Sequence, residues 1–106
     1  MFHSINAYTG ETLCRRPAQS YAEFAQELAA LKVRQQAFAR LGVTGRTALL
    51  QAFAERLAQN KDRLAEMVCE EVGRCLHECR AELDKSVELI RYYVRLAPEL
   101  LAHKTI

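Results

Sequence analysis

The stretch that decides the fold runs from Arg46 to Tyr93: RTALLQAFAERLAQNKDRLAEMVCEEVGRCLHECRAELDKSVELIRYY. Its apolar residues recur every three or four positions, the period of a helix with one apolar face. Leu49, Leu50, Phe53, Ala54 and Leu57 form a first stripe. Leu64, Met67, Val68 and Val72 form a second, which stops at Gly73, a residue that ends helices readily because it can turn left-handed. Leu76, Cys79, Leu83, Val87, Ile90, Val94 and Ala97 form a third, about six turns long. The spacing predicts helices over 45–59, 60–72 and 75–97, with Thr44 as N-cap of the first. Asn60 can end one helix, cap the next or lie inside a longer one; a break with re-initiation there is the reading adopted. Pro98 lacks a backbone donor and disfavours helical geometry at Ala97, so it closes the last helix, with Glu99–Ala102 adding at most a turn.

Upstream, Ser20 and Glu23 have capping-box spacing and open a helix over 20–41. Phe24, Leu28, Leu31 and Phe38 fall on one side of it, interrupted at Gln35, and Gly42 suits the position just past its end. Residues 1–17 read as a β-hairpin. Phe2–Asn6 and Glu11–Arg16 are its strands, Ala7-Tyr8-Thr9-Gly10 its turn, and Pro17 its stop. A hairpin of this size is marginal alone, so it is expected to lie against the helices or another chain. The fold class is therefore mainly α: a short N-terminal hairpin followed by three to four amphipathic helices. The tail His103-Lys104-Thr105-Ile106 has no evident cap.

Composition narrows the function. The 106 residues allow one modest core. A net charge of +2, with basic and acidic residues interspersed, leaves no basic face for nucleic acid. No apolar run approaches the roughly 20 residues of a membrane span. The N-terminus MFHSINAYTG has no signal-peptide pattern, and four cysteines without an export signal are expected as cytoplasmic thiols.

The sharpest chemical cluster is Cys75-Leu76-His77-Glu78-Cys79. Thiolates and imidazole bind zinc, but His77 lies about 200° around a helix from either cysteine. Adding Cys69 gives three thiols at no standard metal spacing, so packing is the plainer reading. Cys75, near a helix start, is the best-placed nucleophile, yet no base is positioned beside it. Glu70, Glu71, Glu78, Glu82 and Asp84 are interleaved with Arg74 and Lys85, the pattern of an ion-paired helix face. No phosphate loop or dinucleotide fingerprint occurs. His3, His77 and His103 receive no role, and Tyr92-Tyr93 read as packing residues.

Five short motifs in register resemble the start of an NAD(P)-dependent aldehyde dehydrogenase. The family's Asn-Pro-x-Thr-Gly-Glu turn matches Asn6-Ala7-Tyr8-Thr9-Gly10-Glu11, with Ala7 for proline. Its Ala-Phe-x-x-Trp matches Ala37-Phe38-Ala39-Arg40-Leu41, with Leu41 for tryptophan. Arg46 and Leu50 match Arg-x-x-x-Leu. Glu71-Val72-Gly73-Arg74 matches Glu-x-Gly-Lys, with Arg74 for lysine. Glu78-Cys79-Arg80-Ala81-Glu82 matches Glu-Ala-x-x-Glu, followed by the tyrosines Tyr92 and Tyr93. The opening resembles the succinate-semialdehyde branch most.

The resemblance implies a subunit that oxidises an aldehyde to a carboxylic acid with NAD or NADP. It also implies that the family's catalytic cysteine, general-base glutamate and cofactor-binding lysine and glycines lie beyond the position of Ile106. None of Cys69, Cys75 and Cys79 matches the catalytic motif, and Cys79 stands where the family has a small alanine. The expectation is therefore no catalytic, cofactor or metal residue in this chain, which is inactive by itself as an incomplete part of a larger subunit. Its partners are the rest of that subunit, or a further copy through exposed apolar faces, in a homo-oligomer. The alternatives are a stand-alone helical interaction module with no catalysis, and a thiol or metal sensor.

Overall fold

The computed structural model describes residues 1–102. Two strands, β1 (Phe2–Ile5) and β2 (Thr12–Arg16), form an antiparallel hairpin, with a bulge between Ser4 and Ile5. Asn6 builds the turn. Its Oδ1 accepts from the amides of Tyr8 (2.9 Å) and Thr9 (3.1 Å), and its carbonyl from Gly10 (2.9 Å). Gly10 takes φ 75°, which glycine adopts without the steric cost a Cβ brings.

Four helices follow: α1 (Tyr21–Arg40), α2 (Gly42–Gln59), α3 (Lys61–Val72) and α4 (Leu76–Leu100). Ser20 and Glu23 close the capping box of α1 from both sides. Gly42 takes φ 68°, as a residue past a helix end does, but the next helix begins on it. The start of α2 thus lies at Gly42, not 45, and Thr44 sits inside its first turn; its carbonyl accepts from the Thr47 hydroxyl. Asn60 ends α2: its side-chain amide and its backbone N–H both donate to the carbonyl of Arg56. It offers α3 no side-chain cap. Gly73, at φ 76°, closes α3.

Pro98 does not stop α4, which continues to Leu100. A proline in the last turn deletes a single ladder bond, and Leu101 still donates to Ala97 at 2.9 Å. The predicted end at Ala97 is corrected accordingly. The predicted tail 103–106 lies outside the described residues.

The core sits where α4 crosses α2 and folds back along α3. Every member of the α4 stripe is at least partly covered, with Cys79 and Val87 buried. Ala54 of α2 and Ala65 of α3 are fully buried opposite them. These small residues let the helices approach closely. Of the predicted α2 stripe, Ala54 is buried and Leu57 partly covered, while Leu49, Leu50 and Phe53 stay largely exposed. Ion pairs Lys61–Asp84 and Arg80–Asp62, each at 2.9 Å, line the α3–α4 seam. Both are largely exposed, so each contributes roughly 0–1 kcal/mol.

Tyr92 and Tyr93 meet edge to face at 5.3 Å but remain half exposed. α1 buries no residue, and its principal packing partner is α2. The radius of gyration is 18.4 Å, against about 13 Å for a compact chain of this length. The accessible surface is 8742 Å², where a compact protein of 12.1 kDa exposes about 6,000 Å². Roughly 2,700 Å² more surface is therefore open than a self-enclosed fold leaves.

Candidate functional site

The hairpin is fastened to the end of α3, and most of the motif residues converge there. The last carbonyls of a helix have no partner within it. The amide of Ala7 donates to one of them, Glu70, at 2.7 Å, and Gly73 donates to Cys69 at 2.9 Å. The Ser4 hydroxyl donates to the Glu71 carboxylate, and the Tyr8 hydroxyl reaches the Arg74 carbonyl at 3.4 Å. Gly73 is packed so closely that a Cβ on it would lie 3.0 Å from the Cβ of Ala7. Arg74 then pairs with Glu82 and, at 3.8 Å, with Glu78, tying the turn to the first turns of α4.

Beside this junction lies a cleft of about 900 Å³ between hairpin and α3. Its walls are mostly apolar, from Phe2, Ile5, Leu13, Met67 and Val72, and Arg16 and Glu70 also line it.

The thiols gather under the hairpin turn. Cys79 is 1% exposed, and burial, then the nearby Cys69 thiol, push its pKa up. It therefore stays protonated at neutral pH, the opposite of an activated nucleophile. Tyr8 is largely exposed, but its hydroxyl points at the α3–α4 turn; local desolvation and then Cys69 raise its pKa too. Cys75 is exposed and stands at the N-cap of α4, where its carbonyl accepts from Glu78 and Cys79. His77 is exposed and apart from the buried Cys79. Among the described residues no three His, Cys, Asp or Glu side chains are placed to share a metal ion. The meeting of Tyr8 with thiols more than sixty positions away carries no sequence signal; only the hairpin's docking creates it.

A dinucleotide cradle needs a glycine-rich turn from a strand into a helix. Among the described residues the only sheet is the two-stranded hairpin. Gly10 lies in its turn, Gly42 and Gly73 join helices, and Gly45 lies within α2. Among the described residues no glycine-rich turn leads from a strand into a helix. No helix among them is long and apolar enough to cross a membrane.

By its build, the chain is a helical scaffold with a docked β-hairpin. The match is to the aldehyde dehydrogenase family model, over residues 1–106, and the chain belongs to that family, whose N-terminal segment it resembles. It is 32% identical to a succinate-semialdehyde dehydrogenase [NADP(+)] of Deinococcus radiodurans, over 99% of this chain and 22% of that protein. It is 34% identical to a malonate-semialdehyde dehydrogenase of Listeria monocytogenes, over 83% of this chain and 18% of that one. The fold matches the glyceraldehyde-3-phosphate dehydrogenase GapN of Methanocaldococcus jannaschii, solved in complex with NADP. That match has a TM-score of 0.87 at 21% identity, and covers 93% of this chain and 22% of GapN. The chain thus spans about a fifth of the length of the relatives it matches.

Proposed function

We propose that this chain is the N-terminal scaffold of an aldehyde dehydrogenase subunit, one that oxidises an aldehyde such as succinate semialdehyde to its acid with NADP. The carrying observation is a family match along the whole chain that spans only a fifth of its relatives. Catalytic thiol, general base and cofactor site belong to the remainder of such a subunit; the chain itself holds none of them. The outward-facing Leu49, Leu50 and Phe53 and the cleft between hairpin and α3 are surfaces for that remainder to cover. The assembled subunit is a cytoplasmic homo-oligomer in this reading. The same open surface suits a free-standing interaction module, but such a module gives no reason for the family's motifs to recur in register.

Two measurements test the proposal. The purified 106-residue chain is expected to bind no NADP in calorimetry and to turn over no succinate semialdehyde; turnover would refute the scaffold role. Exchanged for the matching segment of the Deinococcus radiodurans relative, the chain is expected to give a soluble chimera that retains NADP-dependent oxidation. A soluble but inactive chimera would sink the dehydrogenase reading.

A further inference from the structure

Three of the four thiols stand around the α3–α4 turn, and Cys69 and Cys75 stand on its two sides. Gly73, at φ 76°, reverses the chain, and its amide donates to the Cys69 carbonyl at 2.9 Å. A left-handed glycine closed in this way folds the residues after it back against the last turn of the helix. The ion pairs Lys61–Asp84 and Asp62–Arg80 set α4 antiparallel to α3, and the same register carried on to the turn brings Cys69 opposite Cys75. The Tyr8 hydroxyl bounds their separation independently. It lies within hydrogen-bonding reach of the Cys69 thiol and 3.4 Å from the Arg74 carbonyl, whose carbon is bonded to the nitrogen of Cys75. Cys75 is exposed and Cys69 partly covered, while Cys79 is sealed one turn further into α4.

We propose that Cys69 and Cys75 are a redox pair, joined across the turn by a hydroperoxide. The exposed Cys75 meets the oxidant first. Its thiolate attacks one oxygen of hydrogen peroxide and the O–O bond breaks, leaving a sulfenic acid on Cys75; the hydroxide released takes up a proton as water. The Cys69 thiolate then attacks the Cys75 sulfur, the S–O bond breaks, and a second water leaves. Two thiols are oxidised to one disulfide, and one peroxide is reduced to two waters. Glu70, Glu71 and Glu78 lie within a few positions of the pair, so a neutral peroxide suits it better than an anionic oxidant such as glutathione disulfide. Only residues 70–74 separate the two cysteines, and Gly73 among them lets the turn adjust to the short Cα separation that a disulfide needs. The bond fixes the turn on which the hairpin is docked and takes the Cys69 thiol hydrogen from beneath Tyr8. A thiol reductant reverses it.

The proposal needs neither dehydrogenase activity nor the rest of a subunit. Hydrogen peroxide is expected to remove two of the four thiols and two hydrogens of mass without joining two chains, and dithiothreitol to restore both. Cys79→Ala locates the bond: trypsin, cutting after Arg63, Arg74 and Arg80, should leave peptide 64–74 joined to peptide 75–80. Cys75→Ser, at an exposed position, should keep the helical signal and lose the intramolecular bond. Cys69→Ser should leave the sulfenic acid standing on Cys75, where dimedone captures it. The native chain supplies a test that needs no variant to fold: in urea the preference for this pair over other cysteine pairs should be lost. A bond that survives Cys75→Ser, a dimedone adduct on Cys75 of the native chain in place of the disulfide, or the same pairing in urea as in the folded chain each overturns the proposal.

Discussion

The backbone N–H of Ala7 donates to the carbonyl of Glu70 at 2.7 Å, so the hairpin turn caps the end of α3. The aldehyde dehydrogenase motif has proline at the position of Ala7, and a proline has no such donor. Ala7→Pro is therefore expected to destabilise this chain, though it restores the family residue. The lost bond costs about 0.5–1.5 kcal/mol, only partly offset by the stiffer unfolded chain. A melting temperature lowered by a few degrees is the expected result. An unchanged or higher value would show that the amide contributes nothing.

Gly73 carries two constraints at once: φ of 76° and the nearness of Ala7. Gly10 carries only the first, since its φ is 75° and nothing lies within 4 Å of an added Cβ. An L-residue held left-handed costs roughly 1–2 kcal/mol. Both Gly10→Ala and Gly73→Ala should lose about that much in denaturant unfolding. Gly73→Ala should lose more, because Ala7 must also give way. Equal losses would mean that the hairpin yields freely at this contact.

Much of this junction is legible in the sequence because its signals are local. Asn6, Thr9 and Gly10 shape their own turn, Ser20 and Glu23 cap their own helix, and Gly73 ends its own. The α4 stripe is legible because it is the packed face itself. The inward side of α2 is legible only in part: the predicted stripe includes the buried Ala54 and the partly covered Leu57, but its Leu49, Leu50 and Phe53 stay exposed, since a small side chain permits the closer approach to α4. Pro98 shows the same limit: the local rule is right about the missing donor, but one absent bond in a final turn does not end a long helix. Nor does the spacing of Cys69, Cys75 and Cys79 reveal that Tyr8 sits over them.

Cys79 gives the fold an alkaline limit. Burial raises its pKa above the ordinary thiol value of 9.0, so the unfolded chain gives up this proton first as pH rises. Neutral Cys79 thus contributes stability that is complete below pH 9 and is lost as pH climbs through the raised folded value. Melting temperatures measured from pH 7 to 11 should fall more steeply for the native chain than for Cys79→Ala, the residue usual in the family. Thiol titration should agree, with the exposed Cys14 and Cys75 reacting fast and Cys79 only on unfolding. Parallel pH curves for the two chains would remove Cys79 as the cause.

Glu23 sets a limit on the acid side, confined to α1. Hydrogen bonds from the Ser20 backbone and then the Ser20 hydroxyl lower its pKa below the ordinary 4.5. The folded carboxyl is thus harder to protonate than the unfolded one, and the capping box contributes stability present above pH 4.5. That contribution disappears as pH falls through the depressed folded value. Magnetic resonance titration should place the Glu23 midpoint below 4.5, and Ser20→Ala should move it back toward that value while fraying the first turn. Because α1 adds nothing to the buried core, the loss should appear as reduced helical signal, with the α2–α4 melting transition unmoved. A shift of the main transition in Ser20→Ala would mean that α1 is coupled to the core more tightly than its packing on α2 indicates.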